Sequence, residues 1–247
     1  MTARTLTLLL AALTAGCVNS ARQQKAATHT ALGVAYLRER NVPSAIGELQ
    51  TAVKADPRNW SAQNKLGLAY LAAGATEKSV ACLEKAAKLN PKSAEVQNNY
   101  GLVLMRVGRT EEAVTAFETA IDDLTYRRPS LPLSNLGHAL YVLGRHEEAV
   151  QVLDQAVSRA PNLCEARFNR GLAWGAMGKA DRALEDMEAV IALCGESATG
   201  AYLEAGRLLL ERGDRNGACT YLLTAVEGAA GTALAEAARD LRERECK

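Results

Sequence analysis

The alternation of apolar and polar positions along this chain has a single period. From Ala26 to Asn59, apolar or small residues stand at Leu32, Gly33, Tyr36, Ala45, Leu49 and Ala52, and Pro57 closes the stretch. Steps of three and four put such residues on one face of a helix, so the stretch predicts two helices facing each other. Counted in a 34-residue window, these are slots 7, 8, 11, 20, 24, 27 and 32. The same slots hold Leu66, Gly67, Tyr70, Leu83, Ala86 and Pro91, then Tyr100, Gly101, Leu104, Ala113, Phe117 and Ala120, then Leu136, Gly137, Leu140, Ala149, Leu153, Ala156 and Pro161. Two weaker copies carry Gly171, Trp174, Ala183 and Met187, then Gly206, Leu209, Ala218, Leu222 and Ala225. The slot-8 glycines are spaced by 34, 34, 36, 34 and 35 residues, a recurrence that chance does not produce.

Each slot has a physical task. Small residues at slots 8 and 20 let the two backbones approach, and Tyr36, Tyr70 and Trp174 at slot 11 are assigned to packing. Pro57, Pro91 and Pro161 fall where a helix has to stop, because proline lacks the amide donor and clashes in a helix interior. The pattern resembles the tetratricopeptide repeat slot for slot. That resemblance implies an all-α fold, a right-handed α-solenoid of six repeats at 26–59, 60–93, 94–127, 130–163, 164–197 and 199–232. A capping helix follows at 233–246, its solvent side carrying Glu236, Arg239, Arg242 and Glu243. One repeat cannot bury its own apolar face, so stability comes from stacking neighbours. Two extra residues between repeats three and four, near Arg128-Pro129 and Leu131-Pro132, mark the expected bend.

The start of the chain departs from the repeat. Arg4 precedes the apolar run Leu6–Leu13, which leads into Thr14-Ala15-Gly16-Cys17. The run is shorter than the roughly 20 apolar residues that span a bilayer core, and residues 1–16 read as a secretory signal peptide. The small-small-Cys ending resembles a bacterial lipobox, with Thr14 in place of the usual aliphatic residue. The resemblance implies an acylated Cys17 as the mature amino terminus, a polar tether over 17–25, and a membrane anchor that does not span. Val18, where an aspartate would retain such a protein in the inner membrane, implies the outer membrane, facing the periplasm. An ordinary signal peptide with an incidental cysteine is the rival reading.

Charge and composition then narrow the partners. The net charge is +1, and without residues 1–16, which hold only Arg4, 28 basic residues meet 28 acidic ones. A neutral chain with no basic block has no electrostatic footprint for nucleic acid. Aromatics are 4% of residues, which suits a core of Ala and Leu between close helices.

Export would allow disulfides, and five cysteines remain besides Cys17. Cys164 opens the first helix of repeat five and Cys194 closes its second, so antiparallel helices bring them together. Cys219 in repeat six should likewise approach Cys246 at the end of the cap. Cys82 is left over, as a small buried thiol. A zinc site is the rival use of the other four, against which stands the lack of any CxxC pair.

In a tetratricopeptide stack the first helices line the concave face. Asn99, Asn135 and Asn169 share slot 6 there, although asparagine is a mediocre helix former. The run resembles the asparagine ladders of other helical-repeat proteins, whose amides hold the backbone of an extended peptide; the alternative is that these amides cap or solvate the helix. Asn98, Leu102, Met105, Arg106, Ser134, His138, Tyr141, Glu165, Phe168 and Leu172 should share the face, a mixture suited to a partner segment.

Catalytic signatures are absent from the sequence. His29, His138 and His146 form no HExxH arrangement, and there is no G-x-S-x-G, GxGxxG or GxxxxGK[ST]. Asp122-Asp123 and Arg242-Glu243-Arg244-Glu245 read as solvated helix surfaces. The expectation is a protein with no catalytic residue, cofactor, metal or small-molecule substrate.

Lipobox, short tether and six repeats over the whole chain resemble the pilotin lipoproteins of type IV pili, the PilF, PilW and Tgl group. The resemblance implies binding to the pilus secretin subunit, its delivery to the outer membrane and its assembly into a multimer, in support of pilus biogenesis and pilus-driven motility. The alternative is an envelope scaffold that regulates peptidoglycan synthases or hydrolases.

Overall fold

The computed structural model describes residues 3–123 and 126–246, and of residues 3–19 and Glu196 it describes the backbone alone. The described residues form thirteen α-helices and no strand. They are α1 (Ala3–Arg38), α2 (Val42–Ala55), α3 (Trp60–Ala72), α4 (Thr76–Leu89), α5 (Ala94–Arg106), α6 (Thr110–Ile121), α7 (Ser130–Val142), α8 (His146–Arg159), α9 (Cys164–Ala176), α10 (Ala180–Cys194), α11 (Thr199–Glu211), α12 (Arg215–Gly228) and α13 (Ala233–Glu245), with a 3-10 turn at Gly195–Ser197. The chain divides into two compact units, Met1–Leu124 and Thr125–Lys247. The first stacks three helix pairs, α1–α2, α3–α4 and α5–α6. The second stacks α7–α8, α9–α10 and α11–α12, and α13 packs on the last pair. The sequence places a bend at Arg128-Pro129 and Leu131-Pro132, where α7 begins at Ser130; Leu124 and Thr125, just before, lie outside the described residues.

Within every pair the slot-8 glycine meets the slot-24 side chain. A methyl group added at Gly33 would lie 2.5 Å from Leu49 Cγ, at Gly67 2.6 Å from Leu83 Cγ, at Gly101 2.5 Å from Phe117 Cε1, at Gly171 2.7 Å from Met187 Cε and at Gly206 2.8 Å from Leu222 Cγ; Gly137 meets Leu153 in the same way. Those six partners are among the largest fully buried side chains of the chain. Slot 20 is equally closed: Ala45, Ser79, Ala113, Ala149, Ala183 and Ala218 are all fully buried. Where serine replaces alanine, Ser79 Oγ donates to the Gly67 carbonyl at 2.8 Å, which satisfies the added hydroxyl.

Between repeats, the slot-4 side chain reaches back to the proline that ends the preceding helix. Gln97 Nε2 donates to the Pro91 carbonyl at 2.8 Å and Arg167 Nε to the Pro161 carbonyl at 3.0 Å; Gln63 approaches Pro57 at 3.5 Å. Asn59 and Ser93 cap α3 and α5 by accepting from Ala62 and Val96 amides, the usual role of short polar residues there. The turn inside each pair places slot 15 in the left-handed region, occupied by glycine in repeats two to six, as at Gly74 (φ +74°), and by Arg40 (φ +59°) in repeat one.

Two sequence expectations change. The polar segment Asn19–Lys25, expected as a tether, is helical and continues into the first helix of repeat one, its described side chains exposed. It contains neither glycine nor proline to interrupt a helix. Leu32, expected to pack at slot 7, is 44% exposed. Slot 7 packs against the preceding repeat, and repeat one has none.

Gly67→Ala should lower stability by about 1–3 kcal/mol, the usual cost of overpacking a full core. Gly47→Ala, in the interior of α2 with open space around it, should instead raise stability by about 0.5–1 kcal/mol. Urea midpoints of the two variants check this, and equal shifts would contradict the slot-8 account.

Candidate functional site

The inner surface of the first unit is built on α3 and α5. Asn99 is half-buried and donates from Nδ2 to Asn64 Oδ1 at 3.0 Å; Asn64, fully buried, donates to Glu95 Oε1 at 3.3 Å, and Glu95 pairs with Lys65. One of Asn99's two amide hydrogens therefore serves the seam between α3 and α5. Sequence reasoning passed over Asn64. It stands at slot 5, as does Asn98, and recurrence of asparagine at that slot was the available signal. Slot 5 points into the seam between successive first helices. Ser134 at the same slot of α7, expected on the groove face, is buried, and its Oγ has no hydrogen-bond partner; Asn98, expected there too, is also buried. Leu102 and Arg106 are exposed on α5 and Met105 is half-buried.

The second unit carries the other residues expected on a groove face. On α7 His138 is exposed and Asn135 and Tyr141 are half-buried; on α9 Glu165 is exposed and Phe168, Asn169 and Leu172 are half-buried. Asn135 is engaged rather than free. Tyr141, Leu172, Gly175, Ala176, Glu204 and Arg207 line a concavity of about 230 Å³. Glu204 stands at slot 6 of repeat six, so within this unit the run Asn135, Asn169 ends in a carboxylate. Burial raises the Glu204 pKa above the ordinary carboxylate value, Arg207 opposes the shift and Glu211 adds to it. A second concavity, about 380 Å³, lies beside Cys164, Phe168, Cys194 and Ala201.

An ion network fills the position where other repeats use an apolar slot-7 residue. Arg170 holds Asp186 through two hydrogen bonds, Nε to Oδ2 at 2.8 Å and Nη2 to Oδ1 at 2.6 Å, and reaches Asp154 on α8 at 2.7 Å. Asp186 is 3% exposed, and its hydrogen bonds hold the Arg170 guanidinium even more firmly protonated than usual. This pairing is why repeat five matches the consensus poorly at that slot.

Cys164 is joined to Cys194, with Cα atoms 6.7 Å apart, and Cys219 to Cys246, with Cα atoms 5.8 Å apart. Cys82 is a half-buried free thiol beside the cluster of Ala45, Leu49, Leu66 and Ala69; burial pushes its pKa up against the pull of Lys85. The side chain of Cys17, the proposed lipidation site, lies outside the described residues. Tyr36 and Tyr70 pack half-buried against the first unit's core, and Trp174 does so in the second while Arg182 sits over its ring, 4.6 Å from the centroid. His29 pairs with Glu48 at 2.6 Å, and the His146 ring lies tilted against Tyr141, centroids 5.5 Å apart. Among the described residues no group of His, Cys, Asp and Glu is placed to hold a metal, and no helix is long and apolar enough to cross a membrane.

Paired helices, a slot-8 glycine under a slot-24 side chain and repeat-to-repeat stacking define a class, the helical-repeat interaction scaffolds. Two family profiles, each described as tetratricopeptide repeat, match residues 30–81 and 134–198 and residues 92–162, together well over half of the chain. The chain belongs to the tetratricopeptide-repeat family. Among solved structures it is similar to PilW, described as a widely conserved type IV pilus biogenesis factor, with 21% identity, TM-score 0.78, and 85% of this chain and 96% of that one covered. It is also similar to PilF of Pseudomonas aeruginosa, with 21% identity, TM-score 0.75, and 90% and 99% covered. YrrB, described as a tetratricopeptide-repeat protein with an unusual peptide-binding site, aligns with 23% identity, TM-score 0.57, and 78% and 97% covered. These likenesses show the fold. A search of curated proteins by sequence finds no match.

Asp186→Ala should cost about 3 kcal/mol, because it strips a half-buried guanidinium of its principal partner. Asp154→Ala, at the solvent side of the same network, should cost less than about 1 kcal/mol. Chemical denaturation of both variants measures the difference.

Proposed function

We propose that this protein is an outer-membrane lipoprotein that binds the type IV pilus secretin subunit and promotes its targeting and assembly into a multimer. The observation that carries the reading is architectural. The resemblance to PilW and PilF extends over nearly the full length of both those proteins, and the chain adds to its repeats a lipobox-like start ending at Cys17. The mechanism needs an anchor and a binding face and no chemical step. Acylated Cys17 fixes location on the periplasmic side of the outer membrane. The binding surface is offered by each unit separately, by Leu102, Met105 and Arg106 in the first and by His138, Tyr141, Phe168 and Leu172 in the second, for segments of the secretin subunit. The amides of Asn99, Asn135 and Asn169 contribute donors and acceptors for a peptide backbone. In an oxidising compartment the two disulfides pin the repeats with the poorest consensus.

Cys17→Ala should leave the melting midpoint unchanged and shift the protein out of the outer-membrane fraction; a variant that still reaches that membrane contradicts the anchor. Replacing Leu102, Tyr141 and Phe168 with alanine should reduce co-purification of the secretin subunit at least tenfold, and undiminished recovery contradicts the groove. Denatured without reductant, the exported protein should expose one titratable thiol, Cys82. Removing either bridge, whose cysteines are 30 and 27 residues apart, should cost roughly 3–4 kcal/mol by the chain-entropy relation.

A further inference from the structure

The first helix of a repeat buries a strip at slots 3, 7 and 10 against the second helix of the repeat before it. On α3 the strip is Ala62, Leu66 and Ala69, at 0%, 4% and 0% exposure, and Leu66 and Ala69 cluster with Ala45 and Leu49 of α2. On α5 it is Val96, Tyr100 and Val103, with Val96 and Tyr100 packed on Ala86 and Ala87 of α4. On α1 the equivalent residues are Thr28, Leu32 and Ala35, and all three are exposed. Leu32 and Thr28, with Ala27 and Ala31, line an open trough along that helix. The internal repeats thus show what kind of element this surface accepts: a helix, brought close by small residues.

We infer that this face docks an acidic amphipathic helix of a partner protein, seated where a preceding second helix sits in the internal repeats. Charge selects the occupant. From residue 20 to residue 38, α1 carries Arg22, Lys25 and Arg38, all exposed, and no acidic residue. Of the other titratable groups on that stretch, His29 is already paired with Glu48 of α2 and Tyr36 packs half-buried against the first unit's core. A second copy is a poor occupant. Two α1 faces would set like charges together, and α13, the last helix of the chain, presents exposed Glu236, Arg239, Asp240, Arg242 and Glu243 rather than an apolar stripe. A lipid surface fits less well than a helix, because Leu32 is the strip's sole large apolar side chain. The site lies on the first unit and does not depend on the groove reading.

A photoreactive amino acid at Ala35 of the full-length protein in its own cells, followed by sequencing of the crosslinked peptide, tests the proposal. The expected product is a peptide with apolar residues at helical i, i+3, i+4 spacing and net negative charge. Leu32→Glu should cut its yield about tenfold, the loss of one good contact, while the melting midpoint stays put because Leu32 is already exposed. Crosslinks to phospholipid, to a second copy, or to a peptide without that pattern would overturn it. So would a yield no greater than from a probe at exposed Leu193, or one that Leu32→Glu leaves unchanged.

Discussion

The contact between a slot-8 glycine and the slot-24 side chain is the constraint on which each helix pair depends. A buried leucine, phenylalanine or methionine fills the space that a β-carbon would need. The two helices therefore sit at one depth and one rotation, and that rotation decides which slots face the partner helix, the neighbouring repeat and solvent. Within a unit, slots 3, 7 and 10 then point to the preceding repeat, slot 5, as at Asn64, to the next first helix, slots 8 and 11 to the helix pair's own core, and positions such as slots 9 and 13 to the inner face. The glycine costs helix propensity, about 1 kcal/mol against alanine. Interior packing at near-crystalline density offsets it.

That geometry explains why the candidate groove residues are a mixture. Leu102 and Arg106 escape the packing slots and stay exposed, whereas Asn98, one helical turn before Leu102, is buried, as is Ser134 at the same slot of α7. Asn99 stands between the two conditions, giving one amide hydrogen to Asn64. In the second unit slot 7 of repeat five has a different solution, where Arg170 and Asp186 replace apolar packing with a bidentate ion pair. Such a pair is specific in geometry and weak as a net source of stability. The neighbouring Cys164–Cys194 bridge constrains the same repeat covalently.

The fold was legible in the sequence because its determinants repeat. Each of Gly33, Gly67, Gly101, Gly137, Gly171 and Gly206 carries the same message, so a weak local signal accumulates into an assignment of all six repeats. The cysteine placement was legible for a related reason: helix ends that meet in one repeat can be found by counting. The buried asparagine at position 64, the Arg170 network and the exposure of Leu32 were not. Asn64 and Arg170 depend on which side chains the neighbouring helix supplies, and periodicity does not report that. Leu32 carries the right residue type for burial and lacks only the repeat that would cover it.

The central claim is that the protein assembles the pilus secretin, and its most direct test is in the cell. Deleting the gene and separating outer-membrane fractions on a denaturing gel allows the heat-resistant secretin multimer to be probed against the free subunit. The account predicts loss of the multimer with the subunit still present. A multimer at normal level in the deletion strain would contradict it and turn attention to the cell-wall scaffold reading.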